Sequence, residues 1–207
     1  MTMNPAVSRW NDRFLSTDDY VFGTKPNQFM AKQAAQHLKP GQRVLAVADG
    51  EGRNGVWLAE QGFDTWSVDA APAATEKARK LAKERGVTLH IETADLSNWN
   101  WSEHEFDAVI AIFIQFAGPT LRDTLFEGMK QALKPGGLMI LQGYGLKQLE
   151  YRTGGPSTPE NLYTKELLET AFSDMDILML EEYDAVLDEG EGHRGMSSLV
   201  DLIARKR

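Results

Sequence analysis

Apolar residues recur along this chain in two rhythms. Short, almost unbroken apolar runs stand at residues 43–48, in the stretch ending at Asp69, and at 88–93, 106–114, 138–141, 177–183 and 197–204. Runs of that length suit strands and are too short for helices. Elsewhere apolar positions three or four apart mark helical faces. Phe29, Met30, Ala34 and Leu38 form one over 26–38, and Ala74, Ala78, Leu81 and Ala82 form another, opened by Pro72 and stopped by Gly86. Leu121, Leu125, Met129 and Leu133 give a third over 119–133, and Thr164 caps a final helix over 165–172. Strands alternating with helices predict a parallel sheet. Residues 106–114 (FDAVIAIFI), nearly all apolar, read as a central strand covered on both faces.

The last two runs break the alternation. Residues 184–196, which join them, carry no helical pattern, so the runs should pair antiparallel as a hairpin. The predicted fold is therefore α/β: a doubly wound, Rossmann-like seven-stranded sheet, mostly parallel, with a C-terminal antiparallel hairpin. At 207 residues the chain reads as a single domain, 1–207. Residues 1–25 hold Trp10, Arg13, Phe14, Tyr20 and Phe22. Aromatic residues need something to pack on, and here they suggest a cap that excludes water from a site. Residues 143–163 lack periodicity, and a loop of that length in a compact domain is usually functional, so a lid is expected there.

Chemistry concentrates after the first strand, in RVLAVADGEGRNGVWLAEQGFDTWSVD (43–69). Gly50 and Gly52 allow a sharp turn and close approach of a ligand to the backbone. The helix that follows points unpaired amides and its positive dipole end at the same space. Gly50, Gly52 and Gly55 spell G-x-G-x-x-G, and Asp69 ends the next strand where a carboxylate can accept from ribose hydroxyls. Asp95, just past the third strand, sits at the same sheet edge and is a candidate for an adenine amine, or a turn cap.

Composition narrows the partners. A net charge of −8 argues against nucleic acid, which needs a concentrated basic surface. The chain has no cysteine, which excludes thiolate nucleophiles and ligands, and its four histidines show no metal-ligand spacing. No long apolar stretch or leader stands out, so no membrane partner and a cytoplasmic setting are expected. Oligomeric state is not encoded in any visible pattern.

The GEGRN turn, the SVDAAP acid, the LKPGG turn and the terminal hairpin together resemble class I S-adenosylmethionine-dependent methyltransferases. Within that class WNDRF…YVFGTKPNQF, TGGPSTPENLY and LDEGEGHRG are similar to the small bacterial tellurite-resistance type. The resemblance implies S-adenosylmethionine as cofactor and a small-molecule acceptor. It implies that Asp49, Gly50, Glu51, Gly52 and Arg53 hold the methionine end through backbone groups. By the same likeness Asp69 binds the ribose, Ala70 packs on the adenine, and Asp95 with Leu96 holds the adenine edge. Phe113 and Gln115 would line the methyl-transfer site, and Trp10 and Arg13 would reach the cofactor from the cap.

One departure stands out. Most such enzymes place an acid and then a glycine where this chain has Ala46 and Ala48. Other carboxylates or backbone carbonyls must then do the acid's work, or cofactor affinity is weak and the chain is a non-binding or catalytically silent S-adenosylmethionine-binding relative. The glycine fingerprint alone also leaves a nicotinamide-dependent oxidoreductase open. On the acceptor side, His193 and Arg194 lie between glycines in the hairpin connection, His193 as a base or polar contact and Arg194 as an anion binder. Tyr20, Tyr151 and Arg152 are further candidates.

Overall fold

The computed structural model describes residues 5–190 and 192–207. Residues 1–4 of the cap segment and Glu191 of the hairpin connection lie outside the described residues. In chain order the elements are α1 (Pro5–Leu15), α2 (Gln28–His37), β1 (Arg43–Val47), α3 (Arg53–Glu60), β2 (Asp64–Asp69), α4 (Pro72–Arg85) and β3 (His90–Thr93). They continue with β4 (Phe106–Ile112), α5 (Pro119–Ala132), β5 (Leu133–Tyr144), α6 (Gln148–Tyr151), α7 (Lys165–Ala171), β6 (Met175–Asp188) and β7 (Arg194–Lys206).

Local chemistry sets the helix ends. Asn27 caps α2 by accepting the Met30 amide, and Thr164 caps α7 by accepting that of Leu167. Pro72 opens α4, where its missing N–H costs nothing, and Gly86 closes it at φ +67°, a conformation only glycine adopts cheaply.

The seven strands form one sheet in the order β3-β2-β1-β4-β5-β7-β6. β7 runs antiparallel to both β5 and β6, while the other pairings are parallel. Successive residues of the central strands feed opposite cores. Leu45, Val47 and Val109 pack with Phe126 and Met129 of α5 and Leu168 of α7. Val44, Ala108 and Ile110 pack on the other face with Met30 of α2 and Leu58 of α3. Burial on both faces explains why these strands read as continuous apolar runs.

Two expectations change. The hairpin connection is far shorter than 184–196: β6 and β7 stay paired out to Asp188 and Arg194, leaving 189–193 as the turn. The outer ends of these strands are polar because they lie at an exposed part of the sheet, so they carry no apolar run. The lid segment is also more regular than its sequence suggests. β5 extends through Tyr144, α6 follows, and Pro159–Asn161 forms a 3-10 turn. Gly154 forms a bridge to His193, tying the lid segment to the hairpin turn.

Behind the site, Asp201 of β7 is buried and accepts from Gln142 Nε2 (2.7 Å) and the Tyr183 hydroxyl (2.8 Å). Burial pushes its carboxyl up to about 6 despite these donors. The native state then holds a proton that the unfolded chain has released, so this group's contribution to stability falls as pH rises from about 4 to 6. Asp201→Asn should remove that loss, gaining about 1–3 kcal/mol on wild type across this window in denaturant titrations at successive pH values.

Candidate functional site

The carboxyl ends of β1, β2, β4 and β5 open into a cavity of about 730 Å³. Its floor is the turn after β1. Ala48, Gly50 and Gly52 take φ of +48°, +60° and +85° there. A Cβ on Gly52 would also lie 2.6 Å from Ala78 Cβ, so this glycine is required by the approach of α4 as well as by its own conformation.

The carboxylate missing at Ala46 is supplied three residues later. Asp49 folds its side chain beneath α3, where it accepts the Gly55 amide (3.1 Å) and the Ser67 hydroxyl (2.7 Å). Burial pushes its carboxyl up to about 7, against the lowering effect of these hydrogen bonds. Gly55 has to be glycine for this, since a Cβ there would sit 2.5 Å from the Asp49 carboxylate.

Two side chains of the turn, both at the cavity lining, are tied to neighbouring segments. Glu51 accepts from Lys77 Nζ (2.9 Å) and from the Phe22 amide (3.3 Å), and Lys77 also bonds the carbonyls of Thr17 and Asp19. Arg53 is buried and pairs with Glu189 of the hairpin turn at 2.8 Å. In the turn's backbone the amides of Asp49, Gly50 and Gly52 are taken by Val68, Asp69 and Asp49, which leaves the remaining amides and carbonyls, those of Glu51 among them, for a ligand.

Asp69 lies at the cavity wall with one oxygen on the Gly50 amide (2.9 Å) and the other on the Ala71 amide (2.8 Å). Each oxygen keeps a lone pair. Burial raises its pKa against the pull of those amides. Ala70, Asp95 and Leu96 line the neighbouring wall. Asp95 also caps its turn by accepting the Ser97 amide, as one of its two readings expects.

The opposite wall is a ladder of planar groups. The Arg13 guanidinium lies over Trp10 (5.2 Å) and Phe22 (5.0 Å). Phe22 stacks on His193, which stacks on Phe113, which stacks on Tyr144. Phe113 adopts φ +55°, a strained conformation that delivers its ring to the stack. Glycines make the fit possible: a Cβ on Gly192 would stand 2.2 Å from the Phe22 ring, and one on Gly155 2.6 Å from that of Tyr144. Cap, lid and hairpin turn, far apart in sequence, meet at His193.

Several candidates are placed elsewhere. Tyr20 does not line the cavity; it packs beside Val56, Leu81 and Ala82 at the α3–α4 contact. Arg194 begins β7 with its side chain 71% exposed, near Asp188 and off the cavity wall. Tyr151 and Arg152 lie off the wall as well. Gln115 borders the cavity, yet its amide is spent on the Tyr144 backbone and the Asn161 carbonyl, so it clamps the end of β5. His193 is not a mobile loop residue: burial, then Arg53 and Arg13, push its pKa down to about 3. Tyr144, Asn27 and Glu189 are site residues that the pattern did not single out. The sequence reading ends that strand at 141 and leaves Tyr144 in the 143–163 lid, and Glu189 is one acid among several in its segment.

Among the described residues no group of three or more histidines and acids is placed to hold a metal, and no helix is long and apolar enough to cross a membrane. A glycine turn, a strand-end acid and an antiparallel seventh strand define a nucleotide-cofactor fold of the methyltransferase kind. Comparison with known proteins agrees. Residues 44–137 match the methyltransferase domain family. A 2-heptyl-1-hydroxyquinolin-4(1H)-one methyltransferase of Mycobacteroides abscessus is 32% identical over 100 residues, covering 47% of this chain and 44% of that protein. The chain spans less than half the length of the curated relatives it matches first. TehB from Haemophilus influenzae superposes with a TM-score of 0.70 at 17% identity, over 98% of this chain and 67% of TehB. The N-methyltransferase NodS from Bradyrhizobium japonicum, solved with S-adenosyl-L-homocysteine, gives 0.70 at 14% identity over 97% and 98% of the two chains. The fold is thus that of the class I S-adenosylmethionine-dependent methyltransferases, TehB-like, and residues 44–137 are similar to the methyltransferase domain family.

Two stability measurements test this anatomy. Glu189→Ala strands a buried guanidinium and should cost about 3–5 kcal/mol in chemical denaturation. Ala48→Gly relieves a left-handed alanine and should gain up to about 1 kcal/mol in the same assay.

Proposed function

We propose that the chain transfers a methyl group from S-adenosylmethionine to a small-molecule acceptor. The observation that carries this reading is Asp69: a strand-end carboxylate fixed by the Gly50 and Ala71 amides and opening onto the cavity. In this reading its free lone pairs take the two ribose hydroxyls. Ala70 and Leu96 cover the adenine, Asp95 accepts from its edge, and the remaining amides and carbonyls of residues 49–53 hold the methionine end. Asp49 orients that turn from below, which supports a working site despite Ala46 and Ala48.

The bound cofactor supplies an activated methyl group with a neutral sulfide as leaving group, so no covalent intermediate with the protein is required. The protein's task is to hold the acceptor in line and keep water out. Positioning of this kind can lower a barrier by about 7–11 kcal/mol. The cap, fastened by Glu51 and Lys77, and the ladder of rings enclose the reacting end. The antiparallel β7 and the methyltransferase family match favour this reading over hydride transfer.

Calorimetric titration with S-adenosylhomocysteine, with NADH as comparator, tests it. Micromolar binding of the former alone is expected, weakened at least about 30-fold in Asp69→Ala, which loses two charge-assisted hydrogen bonds. Wild-type protein that binds NADH and not S-adenosylhomocysteine would refute the proposal.

A further inference from the structure

The four acids at the cavity lie away from the wall of rings and are hydrogen-bonded, Asp95 to the Ser97 amide. Asp49 is held by Gly55 and Ser67, Glu51 by Lys77 and Phe22, and Asp69 by Gly50 and Ala71. The facing wall presents Arg13, Tyr144 and His193. In that wall the His193 ring is fixed on both faces, by Phe22 at 4.7 Å and Phe113 at 4.3 Å, and at one edge by the Tyr144 hydroxyl, 2.6 Å from Nδ1.

The direction of that hydrogen bond follows from accounting. His193 Nδ1 is the one partner of the Tyr144 hydroxyl among the described residues. Burial, reinforced by Glu189, raises the phenol's pKa, so it keeps its proton. Tyr144 is buried, so a hydrogen turned away from His193 would be left without a partner at a cost of about 1–3 kcal/mol. His193 is half-buried at the cavity wall, where a hydrogen on Nε2 can reach solvent or a ligand; the phenol therefore donates. A neutral imidazole that accepts at Nδ1 carries its hydrogen on Nε2. Burial first, and then Arg53 from α3 and Arg13 from α1, keep the ring neutral, and the one carboxylate near them, Glu189 of the hairpin turn, is paired with Arg53. Nε2 has no partner among the described residues.

We propose that Tyr144 is a positioning residue that fixes His193 as an Nε2–H donor toward the methyl acceptor, which must therefore arrive with its lone pair already free. The inference rests on the methyl-transfer reading of the cavity. The acceptor's lone pair forms the bond to the methyl carbon as the carbon–sulfur bond breaks toward sulfur, and His193 removes no proton. Such a site suits a thiolate, an ionised phenol or a tertiary amine. It does not suit a neutral alcohol, which needs a base.

Long-range proton–nitrogen NMR on protein with nitrogen-15-labelled histidine reads the tautomer directly. His193→Gln identifies the signal among the four histidines. His193 should show a bare Nδ1 and a protonated Nε2, with no titration between about pH 5 and 8. Tyr144→Phe should give a mixture of both tautomers while binding S-adenosylhomocysteine within about threefold of wild type. A bare Nε2 in the wild type overturns the proposal, and so does an unchanged tautomer in Tyr144→Phe. The wild-type spectrum decides even if that variant fails to fold. Wild-type protein that shows the expected tautomer but binds no S-adenosylhomocysteine overturns the methyl-transfer reading, and with it the acceptor role given to His193.

Discussion

The buried pair between Arg53 and Glu189 fastens the parts of the site to one another. Taking both charges out of water is expensive, and a single contact rarely compensates. Here Glu189 also accepts from Asn27 Nδ2 and the Gln28 amide. Asn27 in turn donates its amide to Asn54 and its Nδ2 to Gln142, which reaches Asp201. One continuous polar network therefore joins the glycine turn, the entry to α2, the hairpin turn and the middle of the sheet. Because each member satisfies several others, the network fixes where the cap and hairpin stand relative to the cofactor turn.

The same logic accounts for the altered turn. A strand-borne acid would be held by the rigid sheet, whereas Asp49 belongs to the turn it organises. It binds Gly55 in front and Ser67 of β2 behind, so strand and helix are joined through one carboxylate. The alanine at 48 remains in a left-handed conformation, a local cost that the surrounding contacts hold in place.

What the sequence disclosed and what it hid follow the range of the interactions. Strands buried on both faces, the helix cap at Thr164, and the acid at Asp69 depend on neighbours close in the chain or on simple periodicity, and these were legible. The glycine-rich lid and hairpin segments were visible as unusual, but the reason for their glycines was not. Gly192 is bare because of the Phe22 ring, and Gly155 because of Tyr144, contacts between distant segments that no local pattern encodes. Arg194 was misplaced for a simpler cause. Taking 184–196 as a loop hid that Arg194 opens β7 opposite Asp188, where its side chain stands exposed.

The position of β7 bears on how the molecule comes together. It follows β6 in the chain yet lies inside the sheet, between β5 and β6. The partners it brings into line are remote: Arg53 and Glu189 are 136 positions apart, and Asn27 and Glu189 are 162. Closing such long loops carries an entropy cost that is met before the contacts can repay it, so pairings of this kind form late. During synthesis the glycine turn and its acid emerge early, while Arg53 waits without a counter-ion until the hairpin closes. The cofactor half of the cavity and its acceptor wall thus mature in one terminal event, and a chain that stalls before it displays the nucleotide motif without an enclosed site.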